Sequence, residues 1–124
     1  MRLDGAAIAA LTAFVPEQDL RAMRVVTGRP GRWLPRLLGM SAITLAPYVC
    51  FRAGRYQPGT ARGLALIAHE AHHIRQGRET GRVFFYARYL RGQFQSGFKH
   101  ARHPMEIPAI DVQRAVFAAL SSAD

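Results

Sequence analysis

The segment from His69 to His73 reads His-Glu-Ala-His-His and contains an HExxH motif. Two histidines four residues apart, His69 and His73, stand on the same face of a helix, so both imidazoles can bind one metal ion. Glu70 follows the first histidine directly and can take a proton from a water that the metal activates. These residue types at this spacing predict zinc-assisted hydrolysis.

The residues before the motif support a helix, because Leu64 to Ala68 form an apolar run that could face a core. We take Gly63 and Gly77 as the expected ends of this motif helix. The alternative is a chance HExxH on an amphipathic helix with surface histidines. The chain has only five histidines and eight acidic residues. With so few of these residues, the motif is not expected to arise by chance. We therefore favour a metal site.

A catalytic zinc needs a third protein ligand and an open position. His72 points about 100° away from the motif face, and Glu79 is expected just beyond the helix end. Glu106 opens the last predicted helix, where small Ala109 would allow close helix packing, although an acid there also suits a helix N-terminus. We favour Glu106 among the candidates, which are His72, Glu79, His100, His103, Glu106 and Asp111.

The segments Ala68–Gln76 and Pro104–Ala109 resemble those of gluzincin-type metallopeptidases. The likeness is greatest to very small, compact HExxH domains, some of them associated with contractile injection systems. It covers the chain from Trp33 to about Leu120.

This resemblance implies that His69, His73 and Glu106 bind zinc and that Glu70 is the general base. In many gluzincins, an acid four residues after the ligand glutamate braces the first histidine. The nearest acid in this sequence is Asp111, one residue later than that pattern. The bracing group is therefore left open.

The oxyanion of a tetrahedral intermediate needs a further hydrogen-bond donor. Tyr86, Tyr89, His100 and His103 are candidates that the sequence does not rank, and Tyr89 could equally be a core residue. A strand over Ile43–Phe51 could hold an extended substrate along its edge. The alternative is a strand that only covers the core.

The expected fold class is α+β and mostly helical. It is zincin-like, with a motif helix, a packing helix, a glutamate-bearing helix and a short edge strand or small sheet, in one metallopeptidase domain over residues 1–124. Apart from the motif helix, we predict helices at Asp4–Phe14, from Pro16 to about Val26, at Gly81–Phe94 and from about Met105 to Leu120. We predict irregular structure at Trp33–Gly39 and one strand at Ile43–Arg52. Because Pro47 lacks a ladder donor, this should be an edge strand or a strand with a bulge.

The formal charge is +9, carried almost entirely by arginine. It would suit anionic partners, but the arginines form no run interleaved with stacking aromatics, so we do not expect nucleic-acid binding. No stretch is long and apolar enough to span a membrane. Cys50 is the one cysteine and is expected in the core. The lack of a disulfide and of a convincing signal peptide favours the cytoplasm, and export by a specialised system is compatible with it.

The leading functional hypothesis is a zinc-dependent metalloendopeptidase that acts on peptides or proteins, with Glu70 as general base. One alternative is an inactive HExxH scaffold that acts through protein partners. A closed metal site, with His100 or His103 as a fourth ligand, would favour it. The other is a basic polyanion-binding protein. The intact Glu70 favours the enzyme, because a structural zinc site needs no base. Substrate specificity and oligomeric state do not follow from the sequence.

Overall fold

A computed structural model describes residues 1–28, 31–97 and 103–121 of the chain. This part is mostly helical and contains one small sheet, which confirms the expected α+β class. Its elements, in chain order, are α1 (Gly5–Leu11), α2 (Glu17–Ala22), β1 (Arg24–Val26), α3 (Trp33–Leu37), β2 (Ala42–Leu45), β3 (Tyr48–Phe51), α4 (Ala61–Thr80), α5 (Arg82–Gln95) and α6 (Glu106–Ser121).

The motif helix α4 is longer than predicted. The Thr60 side chain caps its N-terminus by accepting from the Gly63 N–H at 3.0 Å. The helix then continues through Gly77 to Gly81, whose φ of 81° suits a glycine at the helix end. The prediction that Gly63 and Gly77 end the helix is therefore wrong. A Cβ at Gly63 would collide with the backbone of Gln57, so this glycine permits close packing rather than ending the helix.

The single strand predicted at Ile43–Arg52 is wrong, because the segment folds as a β-hairpin. Strands β2 and β3 pair antiparallel, with Leu45 opposite Tyr48. Ala46 and Pro47 form the turn between them, where the missing N–H of proline disrupts no ladder bond. The hairpin makes β2 an edge strand beside α4.

The strand order is β1-β3-β2, with β1 parallel to β3. The predicted second helix is therefore too long, since α2 ends at Ala22 and the chain enters β1 two residues later. The outer edge of β1 is covered by the N-terminus. There the Val25 N–H donates to the Met1 carbonyl at 2.6 Å, and the Met1 amino group donates back to Val25 at 2.9 Å.

The segment predicted as irregular contains the short helix α3. Pro35 is its third residue, and a proline in the first turn removes no internal helix bond. The hydrophobic core lies between the sheet, α1, α2 and the inner face of α4. Its fully buried members include Leu11, Leu20, Met23, Val49, Phe51 and Ile67. Cys50 is also buried, and burial raises the pKa of its thiol.

None of the helices in residues 1–28, 31–97 and 103–121 has the length and apolarity that crossing a bilayer requires.

Candidate metal centre

Three buried side chains from two helices converge on one point. His69 and His73 project from α4, and Glu106 is the first residue of α6. The Nε2 atom of His69 lies 3.1 Å from Glu106 Oε1, and the Nε2 atom of His73 contacts the same oxygen. One potential ligand atom of each side chain lies within 4.8 Å of the others. This cluster is the one predicted from the motif and the late helix.

The packing of α6 against α4 brings Glu106 to the histidines. Ala109 is fully buried one turn after Glu106, and its small side chain lets the two helices approach. The carbonyl of His103 accepts from the N–H groups of Glu106 and Ile107 at 3.0 and 3.1 Å. These bonds begin α6 at a point that directs its first carboxylate toward α4.

Two glutamines set the orientation of the imidazoles. Gln113 Oε1 lies 2.7 Å from His69 Nδ1, and Gln76 Oε1 lies 2.8 Å from His73 Nδ1. An amide oxygen can only accept, so both Nδ1 atoms carry the proton and donate. The amide of Gln76 is itself oriented, because its Nε2 donates to the Met105 carbonyl at 3.0 Å. With its Nδ1 atom bonded to an amide oxygen, each histidine turns its Nε2 atom toward the cluster.

The donor set fits a divalent cation. Two Nε2 lone pairs and the Oε1 atom of Glu106 face one another, and three acceptors in one buried place need a cation or a proton between them. Burial alone would lower the pKa of His73, but the hydrogen bond to Glu106 and the nearby Glu70 charge raise it overall. The local field thus favours positive charge. Two imidazoles and one carboxylate form a ligand set of catalytic zinc.

The second oxygen of Glu106 has its own partner. The Tyr89 hydroxyl donates to Oε2 at 3.0 Å, which fixes the plane of the carboxylate. Burial, followed by the negative charge of Glu106, raises the pKa of Tyr89. Tyr89 therefore keeps its proton at neutral pH and remains a donor to this carboxylate.

Glu70 lies beside the cluster and is held by the sheet. Its carboxylate oxygen Oε2 accepts from the Thr44 hydroxyl at 2.6 Å. Only 3% of Glu70 is exposed, so the carboxylate is largely shielded from bulk water. Thr44 lies on the edge strand β2, which connects the candidate general base to the strand that could bind substrate.

Two adjoining clefts flank the cluster. The first, of about 320 Å³, is here named the apolar cleft and lies on the His73 side. The second, of about 470 Å³, is named the polar cleft and lies on the His69 side. Both are lined by Glu70 and Tyr89, so they form one groove past the cluster. Residues that line the apolar cleft include Ile43, Leu45, Phe85 and Tyr86, and those that line the polar cleft include Ser41, Leu66 and Gln113.

The four predicted oxyanion donors are placed differently. The Tyr86 hydroxyl oxygen accepts from the Ala46 N–H at 3.1 Å and lines the apolar cleft. His103 is fully buried, and both of its ring nitrogens bond to backbone groups, the Tyr89 carbonyl at 2.7 Å and the Met105 N–H at 3.1 Å. His103 therefore holds the start of α6. His100 lies outside the described residues.

Within residues 1–28, 31–97 and 103–121, the other candidates for the third ligand are not part of the cluster. His72 is half-buried on the same helix, and burial lowers its pKa. Glu79 pairs with Arg75 at 2.7 Å on the helix surface. It is within α4, not beyond the helix end as predicted. Asp111 is exposed on α6. The residue that braces His69 through a hydrogen bond is Gln113.

Three residues around the cluster were not identified from the sequence. Gln76 lies three residues after His73, and Gln113 lies seven residues after Glu106. Both spacings keep the glutamine on the helix face of its neighbour, so this signal was present. Thr44 carries no such signal, because its contact with Glu70 joins a strand to a helix.

Comparison with known proteins relates the chain to a protein family. The family model described as the eCIS core domain matches residues 2–81, which is more than half of the chain. The matched part includes the HExxH motif and β2, and it ends before α5 and before Glu106. Neither the curated proteins nor the solved structures contain a match. The chain therefore belongs to the eCIS core domain family, whose name refers to extracellular contractile injection systems.

Proposed function

We propose that this protein is a zinc-dependent peptidase of gluzincin type. One observation carries the proposal. His69, His73 and Glu106 form a buried cluster, and the HExxH glutamate Glu70 lies next to it in the groove. Among the described residues, this cluster supplies three protein ligands, which is the number that leaves a catalytic zinc with an open position.

In this proposal, the two Nε2 atoms and the Glu106 carboxylate hold the metal. When bound, zinc supplies Lewis acidity that activates water and polarises a carbonyl. Gln113 and Gln76 keep the Nε2 lone pairs directed inward, and Tyr89 positions Glu106 through its hydrogen bond.

Glu70 acts as the general base in the proposed reaction. It takes the proton of the attacking water and returns it to the leaving amine. The Thr44 hydroxyl occupies one side of Oε2 and so orients the carboxylate.

Tyr86 is the tyrosine that we assign to the oxyanion. Its oxygen accepts from the Ala46 N–H, which leaves its O–H to donate into the apolar cleft. Tyr89 already donates to Glu106. The two tyrosines therefore have different roles, with Tyr86 as the donor to substrate and Tyr89 as a positioning residue.

The edge strand β2 can bind an extended substrate. The Arg52 N–H donates to the Ser41 carbonyl at 2.9 Å, at the end of the β2–β3 ladder. Bonded and non-bonded pairs alternate in an antiparallel ladder, so the backbone groups of Ala42 and Thr44 point away from β3. A peptide that adds to this edge would pass directly over Glu70.

The family assignment supports a role with a contractile injection system. We infer that such a system is the protein partner with which this peptidase works. The rival function, an inactive scaffold, needs neither an intact Glu70 nor an open groove. Both features favour hydrolysis.

The test is metal analysis combined with peptide cleavage. Protein purified and supplied with zinc should hold about one zinc per chain and should cleave members of a peptide library, with products read by mass spectrometry. Glu70→Gln should keep the metal and lose cleavage. His72→Ala, in the same helix but outside the cluster, is the matched control and should keep both. A wild-type chain that holds zinc and cleaves nothing would overturn the peptidase assignment.

A further inference from the structure

The polar cleft continues into a basic region. A smaller cleft of about 150 Å³ shares Ser41, Leu66 and Gln113 with it and is also lined by Arg55 and Arg62. A third depression, lined by Arg62, Gln113 and Arg114, adjoins the same end. We name Arg55, Arg62 and Arg114 the arginine rim. All three side chains are exposed, so the groove ends in accessible positive charge on its His69 side.

Among the residues that the structure describes, no carboxylate forms an ion pair with the arginine rim. In the described ranges, the arginines with a carboxylate within 4.0 Å are Arg21, Arg75 and Arg78, and none of them belongs to the rim. Three guanidinium groups near one groove end therefore present their donors to solvent. Guanidinium groups bind carboxylates through paired hydrogen bonds.

The position of Arg62 strengthens this argument. It is the second residue of α4, where the helix field favours an anion and disfavours a cation. Helix stability therefore does not explain an arginine there. The helix N-terminus and the guanidinium group would both attract the same anionic group.

The other end of the groove has the opposite character. The lining of the apolar cleft on the His73 side includes Ile43, Leu45, Phe85 and Tyr86. The carboxylates in this lining belong to Glu70 and Glu106, which are part of the candidate site. Its volume of about 320 Å³ suits a large aliphatic or aromatic side chain. A ligand that fits both ends is therefore apolar at one end and anionic at the other.

We propose that the groove selects an acidic peptide, with a large apolar side chain on the His73 side of the cleaved bond and an aspartate or glutamate on the His69 side. The inference rests on the proposed peptidase function and names its substrate class. Nucleic acid would also meet the arginine rim, but it has no peptide backbone to pair with the edge of β2.

The experiment compares pairs of peptides that differ only in Glu against Gln, each with a leucine or phenylalanine near the cleaved bond. The zinc-loaded chain should cleave the glutamate peptide with a kcat/KM about tenfold higher, a factor that corresponds to about 1.4 kcal/mol. Arg62→Gln should remove this preference by lowering cleavage of the glutamate peptide to the level of the glutamine peptide. Arg21→Gln removes the same charge from the exposed surface of α2 and should keep the preference.

Two outcomes would overturn the inference and leave the peptidase function intact. One is equal cleavage of the two peptides by the wild type. The other is a loss of preference in the Arg21→Gln control as large as that in Arg62→Gln. If no peptide is cleaved, the peptidase function fails, and binding then decides the inference. Fluorescence anisotropy should show that the Glu70→Gln variant binds the glutamate peptide more tightly than the matching glutamine peptide. Equal binding, or displacement by a single-stranded oligonucleotide at lower concentration than by the peptide, would contradict acidic-peptide recognition.

Discussion

The Oε1 atom of Gln113 accepts a hydrogen bond from Nδ1–H of His69, with 2.7 Å between the oxygen and the nitrogen. The two residues are 44 positions apart in the chain. The contact joins α6 to α4 at the level of the cluster formed by His69, His73 and Glu106. It determines which nitrogen of His69 is protonated, and so it prepares Nε2 for a metal ion. An uncharged amide therefore occupies the bracing position that the sequence left open.

Gln113→Leu should weaken zinc binding by roughly 10- to 100-fold, because His69 loses the acceptor that sets its tautomer. Gln113→Glu keeps a hydrogen-bond acceptor, so its zinc affinity should fall much less. The Kd for zinc can be measured by competition with a chromophoric chelator. Gln95→Leu, at the exposed end of α5, is the control. Equal Kd values for Gln113→Leu and the wild type would show that the bond does not orient His69.

Removal of zinc should lower the thermal stability of the wild type. A ligand at a thousandfold excess over its Kd stabilises the fold by about 4 kcal/mol, so a chelator should shift Tm by several degrees. His73→Ala and Glu106→Ala should show no such shift, while His72→Ala should respond as the wild type does. A chelator response retained in Glu106→Ala would place the metal elsewhere.

Glu70→Gln should lower kcat roughly 10²- to 10⁴-fold, which is the contribution of a general base, with zinc content unchanged. Thr44→Val removes the hydrogen bond that orients Glu70 and should reduce kcat by a smaller factor. Thr44→Ser keeps the hydroxyl and serves as its control. Loss of activity in Thr44→Ser equal to that in Thr44→Val would mean that the hydroxyl is not what matters.

Substitution of Tyr86 and of Tyr89 should affect different quantities, kcat in the first case and zinc affinity in the second. Tyr86→Phe removes the proposed oxyanion donor and should lower kcat roughly 10²- to 10³-fold with zinc affinity unchanged. Tyr89→Phe removes the bond to Glu106 and should weaken zinc binding. Steady-state kinetics at saturating zinc, together with the zinc Kd, distinguish the two. A reversed pattern would exchange their assigned roles.

Two buried helical glycines should respond oppositely to alanine. A Cβ at Gly92 would come within 2.8 Å of the His103 ring nitrogen Nε2, so Gly92→Ala should destabilise the fold by about 1–3 kcal/mol. At Gly77 the nearest atom is 3.8 Å away, on Phe85, which is ordinary contact. Gly77→Ala should therefore stabilise by up to about 1 kcal/mol through helix propensity. Denaturant titration gives both values, and a stable Gly92→Ala variant would show that His103 can move.

The sequence alone was enough to predict which three side chains meet in the cluster. The four-residue spacing places His69 and His73 on one helix face whatever the fold, because this follows from helix geometry. The position of Glu106 at the start of a late helix singled it out, and the structure brings it to both histidines. Local spacing within one helix is the kind of information that a sequence carries directly.

Only the tertiary structure decided the rest. The hairpin at Ala46–Pro47 turned one expected strand into two, and so it made β2 the edge strand that holds Thr44 against Glu70. A contact between a strand and a helix, such as that of Thr44 with Glu70, depends on how the two elements are oriented against each other. That orientation is set by packing over the whole core, so no local pattern in the sequence predicts it.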